Sequence, residues 1–224
     1  MEEARRSRAV VELAGVAGSG KSTLFRKIAA SRAVHVGVQP CDRGCIPLAF
    51  RRIHLLPAGF LWDELRRGRL PREPLQSMVY LESWLGRLDG PEIDDSAPVL
   101  YDHGPFFRLA KISASGPSGG IALREWWESM REAWSDAMTR VVWLDAPDLL
   151  LLERIRERRT GHPCEGMSDA EGIDWLGRYR TAFDEALSVF RQRHPADLVR
   201  IDTSSMNPDD IASSVLEWIG TRGS

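Results

Sequence analysis

Residues Gly15-Val16-Ala17-Gly18-Ser19-Gly20-Lys21-Ser22 fit the pattern G-x-x-x-x-G-K-[ST], with Thr23 following, and no other stretch constrains this 224-residue chain so tightly. A short apolar run, Ala9-Val10-Val11-Glu12-Leu13-Ala14, leads into the loop. Lys21 to Ala30 lead out of it, with Leu24, Phe25 and Ile28 at helical spacing. The first segment reads as a buried parallel strand and the second as an amphipathic helix. Between them, Gly15, Gly18 and Gly20 reach backbone conformations closed to residues with a Cβ, so the loop can turn its amides inward. The helix start adds the positive end of its dipole, Lys21 adds an ammonium, and the Ser22 hydroxyl is of the kind that ligates Mg²⁺. All of these groups suit one partner, a chain of phosphates.

The rest of the chain alternates strand and helix. Val34–Val38, Val99–Asp102, Val141–Asp145 and Leu198–Asp202 are short apolar runs that read as four more strands. Helical periodicity marks 59–67, 75–88, 106–112 and 122–138, the last carrying Trp126, Trp127 and Trp134. Pro147 can start a helix reaching Arg158, Ser168 can cap one reaching Phe190, and Asn207-Pro208 opens a last one ending near Ile219. No hairpin signal separates the strands. The expected fold is therefore α/β, a three-layer sandwich in which a five-stranded parallel sheet carries helices on both faces. Ser113–Gly120, with three glycines and a proline, reads as a flexible loop. Glu12 stands out, because a strand inside a parallel sheet is normally apolar.

Composition narrows the partners. The net charge is −2 and the sequence pI about 6.2, so no global basic field favours nucleic acid. Arginines do cluster at 51–52, 66–69 and 154–159, where a solvated surface is an adequate explanation. No apolar run is long enough for a membrane span, and the first residues lack the form of a signal peptide. Three cysteines fit a reducing, cytoplasmic setting better than a disulfide framework. Cys41 and Cys45, with His162 and Cys164, could be imagined as a zinc site, but no second close pair exists and a domain of this size folds without metal.

Among proteins with such a loop, GTPases carry an Asn-Lys-x-Asp element that this sequence lacks, which leaves ATP as the expected nucleotide. In layout the chain resembles the nucleoside and nucleotide kinase group of P-loop kinases, most of all its thymidylate-kinase-like branch. The resemblance spans nearly the whole chain in element order. It rests on Gly15–Thr23, on Val99-Leu100-Tyr101-Asp102-His103-Gly104-Pro105, and on Val141–Pro147 followed by Glu153-Arg154-Ile155-Arg156-Glu157-Arg158-Arg159. Ile201-Asp202-Thr203 and Pro208 are similar to the family's last strand and donor-base loop. His103 stands where the family usually has arginine.

The resemblance implies one P-loop NTPase domain over 1–224, with a helical acceptor-side insert at about 41–95 and a lid at about 154–168. It implies ATP and Mg²⁺ as cofactors and transfer of the γ-phosphate to a small-molecule acceptor, a nucleoside or nucleotide. Lys21, Asp102 and Arg158 are the expected catalytic residues. Gly15, Val16, Ala17, Gly18, Ser19, Gly20, Lys21, Ser22, Thr23, Arg154 and Arg159 would bind the nucleotide, with Ser22 and Asp102 at the metal. Arg51, Arg52, His54, Trp62, Tyr80 and Trp84 are candidates for the acceptor side. Two alternatives stand beside this reading: a phosphotransferase for another metabolite, sugar or antibiotic, and a regulatory ATPase with no acceptor. The tryptophan-rich helix could also serve a homodimer.

Overall fold

The computed structural model describes residues 8–31, 35–36, 62, 66, 72–88, 98–114 and 120–220. The strands are β1 (Val10–Gly15), β2 (His35–Val36), β3 (Val99–Asp102), β4 (Arg140–Asp145) and β5 (Leu198–Asp202). The helices are α1 (Lys21–Ser31), α2 (Arg72–Leu88), α3 (Pro105–Ala114), α4 (Gly120–Ala137), α5 (Asp148–Arg158), α6 (Asp169–Ala186), α7 (Ser188–Arg193) and α8 (Pro208–Gly220). All strand pairs are parallel, in the order β2-β3-β1-β4-β5. Four strands of four to six residues form the body of the sheet. Of the strand expected at Val34–Val38, the described residues are His35 and Val36, a two-residue edge, so among the described residues the expectation of a five-stranded sheet is corrected to a body of four strands with that short edge.

Alternation along the strands sorts their side chains onto two faces. Val11, Leu13, Leu100, Val142 and Leu144 face α1 and α8, meeting Leu24, Ile28, Ile211, Val215 and Ile219. Val10, Ala14, Val99, Tyr101, Val141 and Trp143 face the other way, against α2, α3, α4, α6 and α7. Aromatic rings knit this second face: Tyr101 meets Trp84 and Trp134 edge-on at 5.3 and 6.1 Å, and Trp143 meets Phe183 at 5.0 Å. Trp126, Trp127 and Trp134 are buried within this chain's own core, and the indole N–H groups of the first two donate to Glu82 Oε1 and the Leu109 carbonyl. Tyr80 and Trp84, named as acceptor-side candidates, are buried in this core too, 4% and 3% exposed.

Local signals account for several boundaries. Ser168 caps α6 and Glu171 returns the bond, a complete capping box. Pro147 precedes α5, and Arg159 ends it in the left-handed conformation. The helix expected to run from Ser168 to Phe190 is divided at Leu187 into α6 and α7. Among the described residues no helix is long and apolar enough to cross a membrane.

Candidate functional site

The carboxyl ends of β1, β3 and β4 lie side by side, and the glycine loop springs from the central one. Leu13 pairs with Asp102 on one side, and Gly15 with Leu144 on the other. Ligands of open α/β sheets collect at such ends. Gly15, Gly18 and Gly20 have φ of 141°, 81° and 92°. A Cβ at Gly18 would come 2.6 Å from the Leu151 carbonyl oxygen of α5, whereas one at Gly20 would meet nothing within 4 Å. The loop is thus pinned to β4 and α5 at its start and middle and open at Gly20, next to the α1 N-terminus.

Lys21 is only 6% exposed. Its ammonium donates to the Val16 carbonyl at 2.8 Å and lies 3.5 Å from Ser19 Oγ. Burial pulls its pKa from 10.5 down to about 8. Asp102, Glu12 and Asp145 oppose that shift and Arg158 reinforces it, so all four groups lie within electrostatic reach of Lys21. A buried ammonium whose bonds within the loop go to neutral oxygens suits a polyanion.

Asp102 ends β3, and its Oδ1 is buried with no hydrogen-bond partner among the described residues. A buried carboxylate oxygen without a donor is costly unless something absent completes it, so Asp102 fits a cation or a substrate hydroxyl. His103 follows at φ 58°, a left-handed conformation unusual outside glycine. Its Nδ1 lies 3.6 Å from Asp102 Oδ1, too far for a hydrogen bond, and its ring meets Phe107 edge-on at 4.5 Å. Partial burial, with the charges of Lys21, Arg108 and Lys111, lowers its pKa against the pull of Asp102, a shift that favours a neutral imidazole at pH 7.

Glu12, the anomaly of β1, is fully buried on the face that meets α3. Its Oε2 accepts from the Phe106 amide at 2.8 Å and its Oε1 from the Phe107 amide at 2.9 Å. Amides in the first turn of a helix lack helical partners, and this carboxyl satisfies two of them.

The expected lid arginines separate by role. Arg154 donates to Thr203 Oγ1 at 3.0 Å and to the Thr203 carbonyl at 2.8 Å, and reaches the Gly18 carbonyl at 3.5 Å. It thereby ties α5 to the glycine loop and to the loop after β5. Arg156 is held by Asp169 and the Met167 carbonyl. Arg158 and Arg159 are exposed at the end of α5. Sequence reasoning passed over a further group beside the loop: Arg180 of α6 grips both Asp145 oxygens at 3.0 and 3.1 Å and pairs with Asp148. Asp145 ends β4 as Asp102 ends β3, so the same strand-end rule could have singled it out. Nothing local in the sequence marks Arg180, and the likeness of Ile201-Asp202-Thr203 to a donor-base loop does not single out Thr203 as the partner of Arg154.

On the acceptor side, Arg51, Arg52 and His54 lie outside the described residues, as do Cys41 and Cys45 of the imagined zinc site. Trp62 is exposed, with the Arg66 guanidinium 5.0 Å from its ring. Cys164 is buried, and its amide donates to His162 Nδ1. Among the described residues no cluster of three or more His, Cys, Asp or Glu could hold a metal ion.

The sequence matches no protein-family model and no curated protein. The fold is similar to that of the solved thymidylate kinase from Candida albicans, with a TM-score of 0.56 and 11% sequence identity. The likeness covers 96% of this chain and 92% of that one, so this is the architecture of the chain as a whole: a parallel α/β sandwich of the kind found in that kinase.

Proposed function

We propose that this protein is an ATP-dependent small-molecule kinase that passes the γ-phosphate to a nucleoside or nucleotide. One observation carries the reading: Lys21, buried in a glycine loop with its pKa pulled down to about 8, shares an electrostatic neighbourhood with Asp102, whose buried Oδ1 has no partner among the described residues. One group is suited to a polyphosphate and the other to what receives or balances it. The whole-chain likeness to thymidylate kinase adds support at the level of fold.

ATP with Mg²⁺ would supply the transferable phosphoryl group and part of its charge neutralisation. The loop Gly15–Thr23 would hold the phosphates, and Ser22 with Asp102 would hold the metal. Lys21 neutralises charge on the β- and γ-oxygens. Arg158 and Arg159, free of the ties that hold Arg154 and Arg156, close over the phosphates as part of a lid at about 154–168. Arg154 braces the donor side by joining Gly18 to Thr203. Asp102 orients the acceptor or takes its proton, and the neutral imidazole of His103 offers it a hydrogen bond. The acceptor lies toward a helical insert at about 41–95 of a single domain.

The test is ADP release from MgATP in the presence of nucleosides and nucleoside monophosphates, one at a time. Stimulation by one class identifies the acceptor. No stimulation across the panel would overturn the nucleotide assignment. The neutral His103, where kinases of this group usually carry arginine, favours a second reading with an uncharged acceptor such as a sugar, which a mass-shift screen of metabolites would detect.

A further inference from the structure

We infer that Glu12 is a positioning residue for the reaction: from inside the sheet its carboxyl sets the corner His103-Gly104-Pro105, and through it the disposition of Asp102 and His103. The inference rests on the kinase reading above.

Three independent features meet at that corner. Both Glu12 oxygens take amides from consecutive residues of α3, Phe106 and Phe107, so the start of the helix is fixed in two directions instead of hanging from one bond. The carboxyl also occupies the space beside Gly104. A Cβ there would lie 2.7 Å from Glu12 Cδ, 2.8 Å from its Oε2 and 2.7 Å from Tyr101 Cβ, so glycine and the carboxyl fit each other. Finally, His103 just before that glycine is held at φ 58°, a conformation that surroundings must impose on a non-glycine residue. The imposed turn leaves the His103 ring against Phe107, whose amide Glu12 holds.

Glu12 belongs to β1, the strand that runs straight into the glycine loop, and β1 is the direct neighbour of β3. One strand therefore bears the phosphate loop at its end and the brace for Asp102 and His103 three residues earlier. Donor and acceptor groups would then share a single rigid reference, as transfer between two bound molecules demands. The carboxyl is a costly way to fill this position, because burying an acid in a parallel strand opposes folding, and its two bonds to the Phe106 and Phe107 amides offset that cost only by fixing the helix start. That is the pattern of a residue kept for geometry.

The experiment compares wild type with Glu12→Gln and Glu12→Leu. Glutamine keeps one acceptor, and leucine keeps none but packs. Three quantities are measured: the Kd for MgATP by calorimetry, kcat and KM with whichever acceptor the panel identifies, and the cross-relaxation between the His103 and Phe107 rings by NMR. The expected result is a kcat lowered in the order Gln then Leu, by roughly tenfold to a hundredfold for Leu. The MgATP Kd should stay within about twofold, because the loop itself is untouched. The ring-to-ring signal should be lost in Glu12→Leu at temperatures where circular dichroism shows the variant fully folded. A kcat within about twofold of wild type in both variants, or an intact ring-to-ring signal in Glu12→Leu, overturns the inference. A wild type that binds no MgATP overturns the kinase reading instead, and the NMR comparison still decides whether Glu12 sets the corner.

Discussion

Gly15 is backed against Leu144: a Cβ at Gly15 would sit 2.2 Å from the Leu144 carbonyl oxygen and 2.8 Å from Ser19 Oγ. The first glycine of the loop is therefore required by strand packing, apart from any ligand. Gly20 is different, with φ 92° but open space where its Cβ would go. Gly15→Ala should cost about 3 kcal/mol or more in urea melts, since backbone would have to move as well as strain. Gly20→Ala should cost about 1 kcal/mol and act mainly on MgATP affinity. Equal losses of stability in the two variants would contradict this division.

Lys21→Met should remove triphosphate-dependent turnover, by roughly a hundredfold or more, because charge on the transferring group loses its fixed counterion. The fold should not suffer. Bringing the ammonium out of water costs stability, and methionine fills similar space without a charge. Circular dichroism and a melting temperature equal to or above wild type, together with lost turnover, is the expected pair of results. Turnover near wild type would remove the loop from the mechanism.

The sheet and the glycine loop were legible because their causes are local. Val99–Asp102 and Leu198–Asp202 are strands at the residues where alternation and flanking turns place them. The loop follows from three glycines, a lysine and a serine in one octapeptide. Glu12 was not legible, because the amides that explain it belong to Phe106 and Phe107, 94 and 95 residues away. The burial of Tyr80 and Trp84 was not legible for a related reason. A helical stripe shows which face of α2 is apolar, but not that Tyr101 and Trp134 wait opposite it. Arg154 and Arg158 share a helix face in sequence, yet Thr203, supplied by the loop after β5, captures only the first.

Asp102→Asn should lower turnover far more than melting temperature. The Oδ1 it alters is buried and unpartnered, so the fold gains little from its charge. A loss of roughly a hundredfold in kcat with a melting temperature within about two degrees is expected. Parallel losses would reduce Asp102 to a structural group at the end of β3.

Removing Arg154 and Arg158 should damage different quantities. Arg154→Met cuts the bonds to Thr203 and the reach to Gly18, so it should lower stability by about 1–3 kcal/mol and weaken MgATP binding. Arg158→Ala removes an exposed side chain and should leave stability within about 0.5 kcal/mol. Its effect should fall on kcat, if closure over the phosphates brings the guanidinium to the transferring group. An unchanged kcat for Arg158→Ala would shift the lid role to Arg159.

The two buried titrating groups beside the loop set opposite pH dependences. Glu12 is raised from 4.5 to about 8 by burial, against the pull of the Phe106 and Phe107 amides and of Arg108. Between those values the folded chain keeps a proton that the unfolded chain has lost, so its contribution to stability, full below 4.5, is lost as pH rises through about 8. Lys21 is lowered from 10.5 to about 8, so between those values the unfolded chain holds the extra proton. Its contribution is therefore present above 10.5 and lost as pH falls through about 8. The shift corresponds to about 3 kcal/mol at most. Urea melts at a series of pH values should show Lys21→Met more stable than wild type at pH 7, with the gap closing above about 8. Triphosphate binding runs the other way, because the anion favours the charged lysine. MgATP affinity should weaken above about pH 8, approaching tenfold per unit, and calorimetry in buffers of different ionisation enthalpy should report proton uptake on binding there. Affinity independent of pH between 7 and about 9.5 would mean that the Lys21 ammonium does not meet the phosphates.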